Sequence, residues 1–432
     1  MVELYPHQQD GATWLEDVSR GILDWQPGTG KTFAALAASN MTDVLVVCPA
    51  YLVWNWEGAI KEMYPDAQVV IPSGTPAQKR EALKDAREYA DFVIVSYNLL
   101  ADQCAALATH KWGTVIFDEA HYLRGRATKR TKAAEKLQSY NLYLLTGTPI
   151  RKNAGDFFPL LRLCNRREFT SYWRFVQEYC YTKETPWATE IGDVRDPAAF
   201  QRLLEPYVSH CALTDVFTDI PDAIWTTIPV LMTPKETLDH KKIKKEYRSP
   251  SGEPLSGAGA VVPELRRLTA AGKNKIEATK QLLADHDDEK VIVWTWYKES
   301  AQVVAECCVA NDRQRFLATG DLTPLRRADV IRQWLDTEDG VLVATLASVG
   351  EGYNLQDSRV AVFYEMDYLP STNLQALARQ RRHGQTDTVR AYAVVAKGSI
   401  DTAIAKIAQR RDTSNSTAQG LEAVLTELMK NA

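Results

Sequence analysis

Short, almost wholly apolar runs recur along the chain, each closed by Pro, Ser, Asp or Gly and followed by sequence with helical character. In the first third they read DVLVVCP, FVIVSY, TVIFDEAH and LYLLTGTP; in the last third KVIVWT, RFLATG, GVLVAT and AVFYEMD. A run that stays apolar without alternating is a strand buried on both faces. Strand, break and helix in repetition predict an α/β fold of two doubly wound parallel sheets, with functional loops at the C-terminal ends of the strands. The first lobe is predicted over residues 1–155 and the second over 223–432. Between them, residues 156–222 lose the rhythm and read as a helical insertion rich in aromatics and arginine (DFFPLLRLCNRREFTSYWRFVQEYC). The stretch His240–Val262 starts basic and ends in Gly, Ser and Pro, which predicts a loop after a helix; its four lysines are either a solvated face or a phosphate contact.

Composition adds limits. The 432 residues are 45% apolar and 25% charged, which excludes a disordered chain and allows two or three domains with their own cores. A net charge of −4 rules out blanket attraction to nucleic acid and leaves room for a local basic groove. The seven cysteines form no CxxC pair and no Cys/His group at zinc spacing, so reduced thiols in an intracellular compartment are expected. There is no signal-like N-terminus and no run of 18 apolar residues, so no membrane span is expected. The protein is expected in the cytoplasm of a prokaryotic or viral setting, or in a nucleus, acting as a monomer.

The candidate chemistry begins with GILDWQPGTGKTFAALAA. Gly28, Thr29 and Gly30 can bring backbone N–H groups to phosphate, Lys31 can reach the β/γ-phosphates, and the Thr32 hydroxyl can hold Mg²⁺. Trp25 stands where a strict phosphate-loop pattern has its first glycine. The loop needs an acidic partner at a neighbouring strand end, and TVIFDEAHYL supplies one: Asp118 to bind Mg²⁺ and Glu119 to polarise an attacking water. Alone, such a pair is often a helix cap; with GTGKT upstream it predicts an NTPase.

Together, DEAH, the upstream LYPHQQDGATWL, the later LLTGTPIRKN and the closing QALARQRRHGQ resemble helicase superfamily two, and within it the Swi/Snf-type ATP-dependent DNA translocases. The likeness runs from Leu4 to about Ile404. It implies two RecA-like lobes, ATP with Mg²⁺ in the cleft between them, and double-stranded DNA crossing both. By this resemblance Gln8 reads adenine, while Pro49, Asn55 and Trp56 belong to a segment that tracks the DNA backbone, as do Ser96 and Tyr97. Thr146 and Gly147 match a segment coupling nucleotide state to DNA grip. In the second lobe Thr319, Gly320 and Thr345 fall on the DNA side, Arg326 takes a structural place, and Gly350 and Gly352 border the nucleotide. LASV stands where chromatin remodellers carry Arg-Ala-Gly-Gly, which is more similar to the bacterial and viral branch.

QALARQRRHGQ, finally, is read as a helix. At about 100° per residue, Gln375, Arg379 and Arg382 share a face, with Gly384 as the stop. The resemblance makes Gln375 a nucleotide contact and the two arginines catalytic, stabilising charge on the γ-phosphate. Two other functions remain open on the sequence: an RNA or single-stranded DNA helicase, and a nucleotide-gated DNA clamp that does not cycle.

Overall fold

The computed structural model describes residues 3–41, 43–147, 154–184, 189–216, 223–255, 258–309, 313–349, 353–381 and 387–408. The chain divides into two compact units, Met1–Phe217 and Thr218–Ala432.

The first unit is built on a seven-stranded, all-parallel sheet. Its strands are β1 (Arg20–Trp25), β2 (Val44–Cys48), β3 (Val69–Val70), β4 (Phe92–Ser96), β5 (Lys111–Phe117), β6 (Gln138–Thr146) and, after a β7–β8 hairpin (Cys180–Glu184 and Thr189–Val194), β9 (Val208–Cys211). The spatial order is β3-β4-β2-β5-β6-β1-β9. Alternate residues of each strand enter different cores, as the pleat requires. Leu45, Val47, Val93, Val95, Val115 and Phe117 join one apolar layer, and Val44, Val46, Ile94, Ile116 and Tyr143 the other. Both faces are covered, which is why these strands read as unbroken apolar runs.

Residues 156–222, expected as a helical insertion, carry the helices Phe158–Cys164, Tyr172–Tyr179 and Pro197–Leu204, but also the hairpin and β9. Phe157, Phe158, Phe175 and Phe200 pack into the same core as Phe117 and Val95. β9 lies parallel to β1, with Ile22 opposite Val208 and Trp25 opposite Cys211.

The second unit holds a six-stranded parallel sheet in the order β10-β15-β14-β11-β13-β12. Its strands are β10 (Ile224–Val230), β11 (Val291–Thr295), β12 (Arg315–Ala318), β13 (Val341–Thr345), β14 (Val360–Phe363) and β15 (Arg390–Ala396). The same alternation sends Ile292, Trp294, Leu342 and Phe363 to one layer and Val291, Val293, Val341 and Val362 to the other. The stretch read as a loop over 240–262 is partly helical, since one helix runs Pro234–Glu246 and the next begins at Ala258. All seven cysteines are free thiols. Among the described residues no helix is long and apolar enough to cross a membrane.

Candidate nucleotide site

In the first unit the neighbours β5, β6 and β1 bring three sequence segments to one sheet edge, at their C-terminal ends. β1 stops at Trp25, whose buried indole donates to Ser209 Oγ at 3.1 Å. The chain then turns through Gln26–Gly30 into α2 (Lys31–Ala37). Gly28 and Gly30 have φ of +91° and +82°, conformations that side chains rarely adopt. A Cβ on Gly30 would also stand 2.0 Å from Gln8 Nε2, so the Gln8 amide would have to give way. Thr29 is buried and its hydroxyl donates to Gln26 O at 2.8 Å, tightening the turn. Lys31 Nζ donates to Trp25 O at 2.7 Å and to Gln26 O at 3.3 Å, so the ammonium is held by the loop's own carbonyls.

Gln8 lies in α1 (Pro6–Val18) and is 5% exposed. Its Oε1 accepts from Tyr5 N at 3.1 Å, which caps one orphan donor at the helix start, and its Nε2 donates to Thr29 O at 3.3 Å. His7 Nε2 lies 2.8 Å from the same carbonyl. The residue expected to read adenine therefore also braces the phosphate loop.

β5 delivers Asp118 to the same edge. Trp56, from α3 (Val53–Met63), donates its indole N–H to Asp118 Oδ2 at 2.8 Å, Glu119 N donates to Oδ1 at 2.9 Å, and the Tyr97 hydroxyl donates to Asp118 O at 2.8 Å. Burial, and next the charge of Glu119, push the Asp118 carboxyl up to about 6, while the bond from Trp56 and the charge of Lys31 oppose the rise. Glu119 has φ +50° and ψ +50°, a left-handed conformation costly for a non-glycine and concentrated at functional turns. Its Oε2 lies 3.0 Å from His121 Nδ1. β6 ends in Thr146-Gly147 between these two segments; a Cβ on Gly147 would meet Pro27 Cδ at 3.1 Å and Trp25 O at 3.2 Å. Phosphate loop, acidic pair and the Thr146-Gly147 strand end thus form one cluster.

In the second unit the expected helix carrying the arginines stops early. It spans Pro370–Leu377, and Arg379 N bonds Ala376 O at 3.2 Å in a tighter turn. Gln375 is on the helix and Arg379 is beyond its end, which corrects the single helical face. Both are buried. Gln380, which the sequence did not single out, is the anchor: its Nε2 donates to Ser358 O, Ser358 Oγ and Val360 O at 3.2–3.3 Å. Arg382, Gly384, Gly350 and Gly352 lie outside the described residues.

The family model described as the SNF2-related domain matches residues 7–283, and the helicase conserved C-terminal domain matches 274–384. The chain belongs to the SNF2-related family. As a class, SNF2-related proteins are ATP hydrolases of the helicase type. Relatives similar in sequence include an uncharacterized ATP-dependent helicase of Mycoplasma pneumoniae, 24% identical over 94% of this chain and 41% of that protein. A Bos taurus DNA annealing helicase and endonuclease is 22% identical over 93% of this chain and 39% of that protein. The chain thus spans about two fifths of the length of these relatives. The Sulfolobus solfataricus SWI2/SNF2 ATPase core, solved in complex with dsDNA, is 20% identical with a TM-score of 0.47, over 99% of this chain and 97% of that one.

Within the SNF2-related frame, the residues expected on DNA separate by burial. Asn55 and Gly320 are exposed, Ser96 and Gly147 half-buried, and Pro49, Trp56, Tyr97, Thr146, Thr319 and Thr345 buried. Trp56 and Tyr97 each spend their one polar hydrogen on Asp118, and Tyr97 also stacks on Tyr122 with centroids 5.2 Å apart. The Ser96 hydroxyl accepts from Leu99 N as a helix cap. In the second unit Thr345 Oγ1 pairs with Ser348 Oγ at 2.5 Å. The structural arginine is Arg327 rather than Arg326, because Arg327 is buried and bonds Thr319 O, Leu322 O and Ser348 O.

Proposed function

We propose that the chain couples ATP hydrolysis to movement along double-stranded DNA. The observation that carries this reading is the cluster at one sheet edge, where a glycine-shaped phosphate loop with Lys31 faces an Asp118-Glu119 pair held by three hydrogen bonds. Such an array suits phosphoryl transfer, in which the protein supplies positioning and charge. Phosphate oxygens would take Lys31 from the carbonyls of Trp25 and Gln26, and Glu119 would orient the attacking water. Arg379 and Arg382 are proposed to stabilise the charge on the transferred phosphoryl group, and Gln375, Gly350 and Gly352 to contact the nucleotide.

Magnesium fits the residues present. Among the described residues no group of three or more His, Cys, Asp or Glu is placed to hold a metal. Mg²⁺ needs no such cage, since one carboxylate, a hydroxyl and substrate phosphates suffice. Asp118 and the Thr32 hydroxyl would hold it, and each Asp118 oxygen keeps a lone pair beyond the hydrogen bond it accepts. When bound, the ion would neutralise charge on the β- and γ-phosphates.

Duplex DNA as the track is supported by the family and by relatives described as acting on DNA. The test is ATP hydrolysis with duplex DNA, single-stranded DNA and RNA in parallel, followed by triplex displacement. Duplex should stimulate most and a third strand should be displaced, while Lys31→Ala and Arg379→Ala fall at least ~10³-fold in hydrolysis. Strongest stimulation by RNA would replace the reading with an RNA helicase. DNA binding without phosphate release, unchanged by Glu119→Gln, would leave a clamp.

A further inference from the structure

Trp56 sits 62 residues from Asp118 in the chain, yet their side chains meet at 2.8 Å. The sequence of α3 explains how. Val53, Trp56, Ile60 and Met63 make one buried stripe at helical spacing, packed into the layer that also holds Leu36, Val46 and Cys48. That packing fixes the indole, which is 2% exposed. An indole is a donor only, so its polar atom has one use here, to hold Oδ2. Asp118 Oδ1 is held independently by Glu119 N, and the Asp118 main chain by the Tyr97 hydroxyl. The strand end is therefore anchored without Trp56, and what Trp56 adds is the second point that, with Glu119 N on Oδ1, fixes the plane of the carboxylate head.

We propose that Trp56 is a positioning residue, whose indole N–H sets the plane of the Asp118 carboxylate so that its remaining lone pairs are aimed at the nucleotide's divalent cation. This rests on the nucleotide-site reading above. Groups that orient a metal-binding carboxylate from behind matter nearly as much as the ligand, and their loss commonly costs 10- to 100-fold in metal affinity. Aspartate has a freely turning carboxylate unless such donors stop it. A buried, donor-only ring on a rigid helix restricts that rotation at a small entropic cost, because the ring is already immobilised by packing.

The test uses the full chain, a non-hydrolysable ATP analogue and Mn²⁺, with free Mn²⁺ read by electron paramagnetic resonance. The variants are Trp56→Phe, which removes the N–H, and site-specific benzothienylalanine at position 56, which keeps the ring shape with sulfur in place of the N–H. Trp112→Phe is the control, because Trp112 is equally buried in the same unit and its indole donates at 3.2 Å to a backbone carbonyl, Leu107 O. Both altered residues at 56 should raise the Mn²⁺ dissociation constant ~10-fold. Analogue affinity without metal should stay within about twofold, and Trp112→Phe should leave Mn²⁺ binding unchanged. The proposal is overturned if the benzothienyl chain binds Mn²⁺ within twofold of the natural chain, or if Trp112→Phe weakens Mn²⁺ equally. A natural chain that binds analogue but no Mn²⁺ overturns it as well; one that binds neither overturns the nucleotide-site reading beneath it.

Discussion

Asp118 is the residue at which folding and chemistry pull in opposite directions. A carboxyl raised to about 6 by burial and by Glu119 costs the folded state free energy whenever it is ionised. The sign follows from proton binding. Between the unfolded value of 3.8 and about 6 the native state holds the proton more tightly, so this residue's contribution to stability falls as pH rises through that window. Asp118→Asn should abolish ATP hydrolysis, and in metal-free buffer its Tm relative to the natural chain should rise between pH 4 and pH 7.5. The offset left at pH 4 is the cost of the one acceptor that the amide lacks toward Trp56 or Glu119 N, and scanning calorimetry across that range checks both. An active site that is destabilising for the fold is a common trade. The identity of Asp118 was legible in the sequence because a β-rich run ends on it. Its partners were not: Trp56 and Tyr97 were read as DNA-facing, and only the fold, with β2 between β4 and β5, brings α3 and the chain after β4 to the end of β5.

At the scale of elements, the strands were the most legible part. All eight apolar runs became strands, because a strand buried on both faces must be apolar throughout. β9 escaped, since VSHC is too short and mixed to announce a strand; only pairing with β1 makes it one. The helix read from Gln375 to a stop at Gly384 runs instead from Pro370 to Leu377, so neither of its ends was legible. Its end is enforced by Gln380, whose amide is fully buried on Ser358 and Val360. A second buried polar device joins two helices of the second unit. Lys275, in the helix Lys273–Ala284, is 2% exposed and its Nζ lies 2.5 Å from Asp401 Oδ2, at the start of the helix Ile400–Ala408. Asp401 also accepts from Thr269 Oγ1 and Ala396 N. Removing one member of such a pair strands the other, at about 3 kcal/mol or more. Lys275→Met should lower the unfolding free energy of the second unit accordingly in urea melts, whereas Lys273→Met, in the same helix turn and exposed, should change it by less than about 0.5 kcal/mol.

At the scale of the molecule, a net charge of −4 means that any grip on DNA comes from local groups working against a mildly repulsive whole. Binding of duplex DNA should then be strongly salt-dependent, falling at least about tenfold between 50 and 200 mM salt even if only a few phosphates are contacted. Fluorescence anisotropy over that range checks it, and a flat response would point to non-ionic binding. The placement of β9 has a different consequence, for the order in which the chain is made. β1 pairs on one side with β6 and on the other with β9, where Asp24 and His210 stand 186 residues apart. At cellular synthesis rates the second partner emerges roughly 10 to 40 s after β1. Throughout that interval the apolar edge through Ile22 and Leu23 waits beside the growing chain, which makes the nascent first unit a natural client for chaperones that shield unpaired strands.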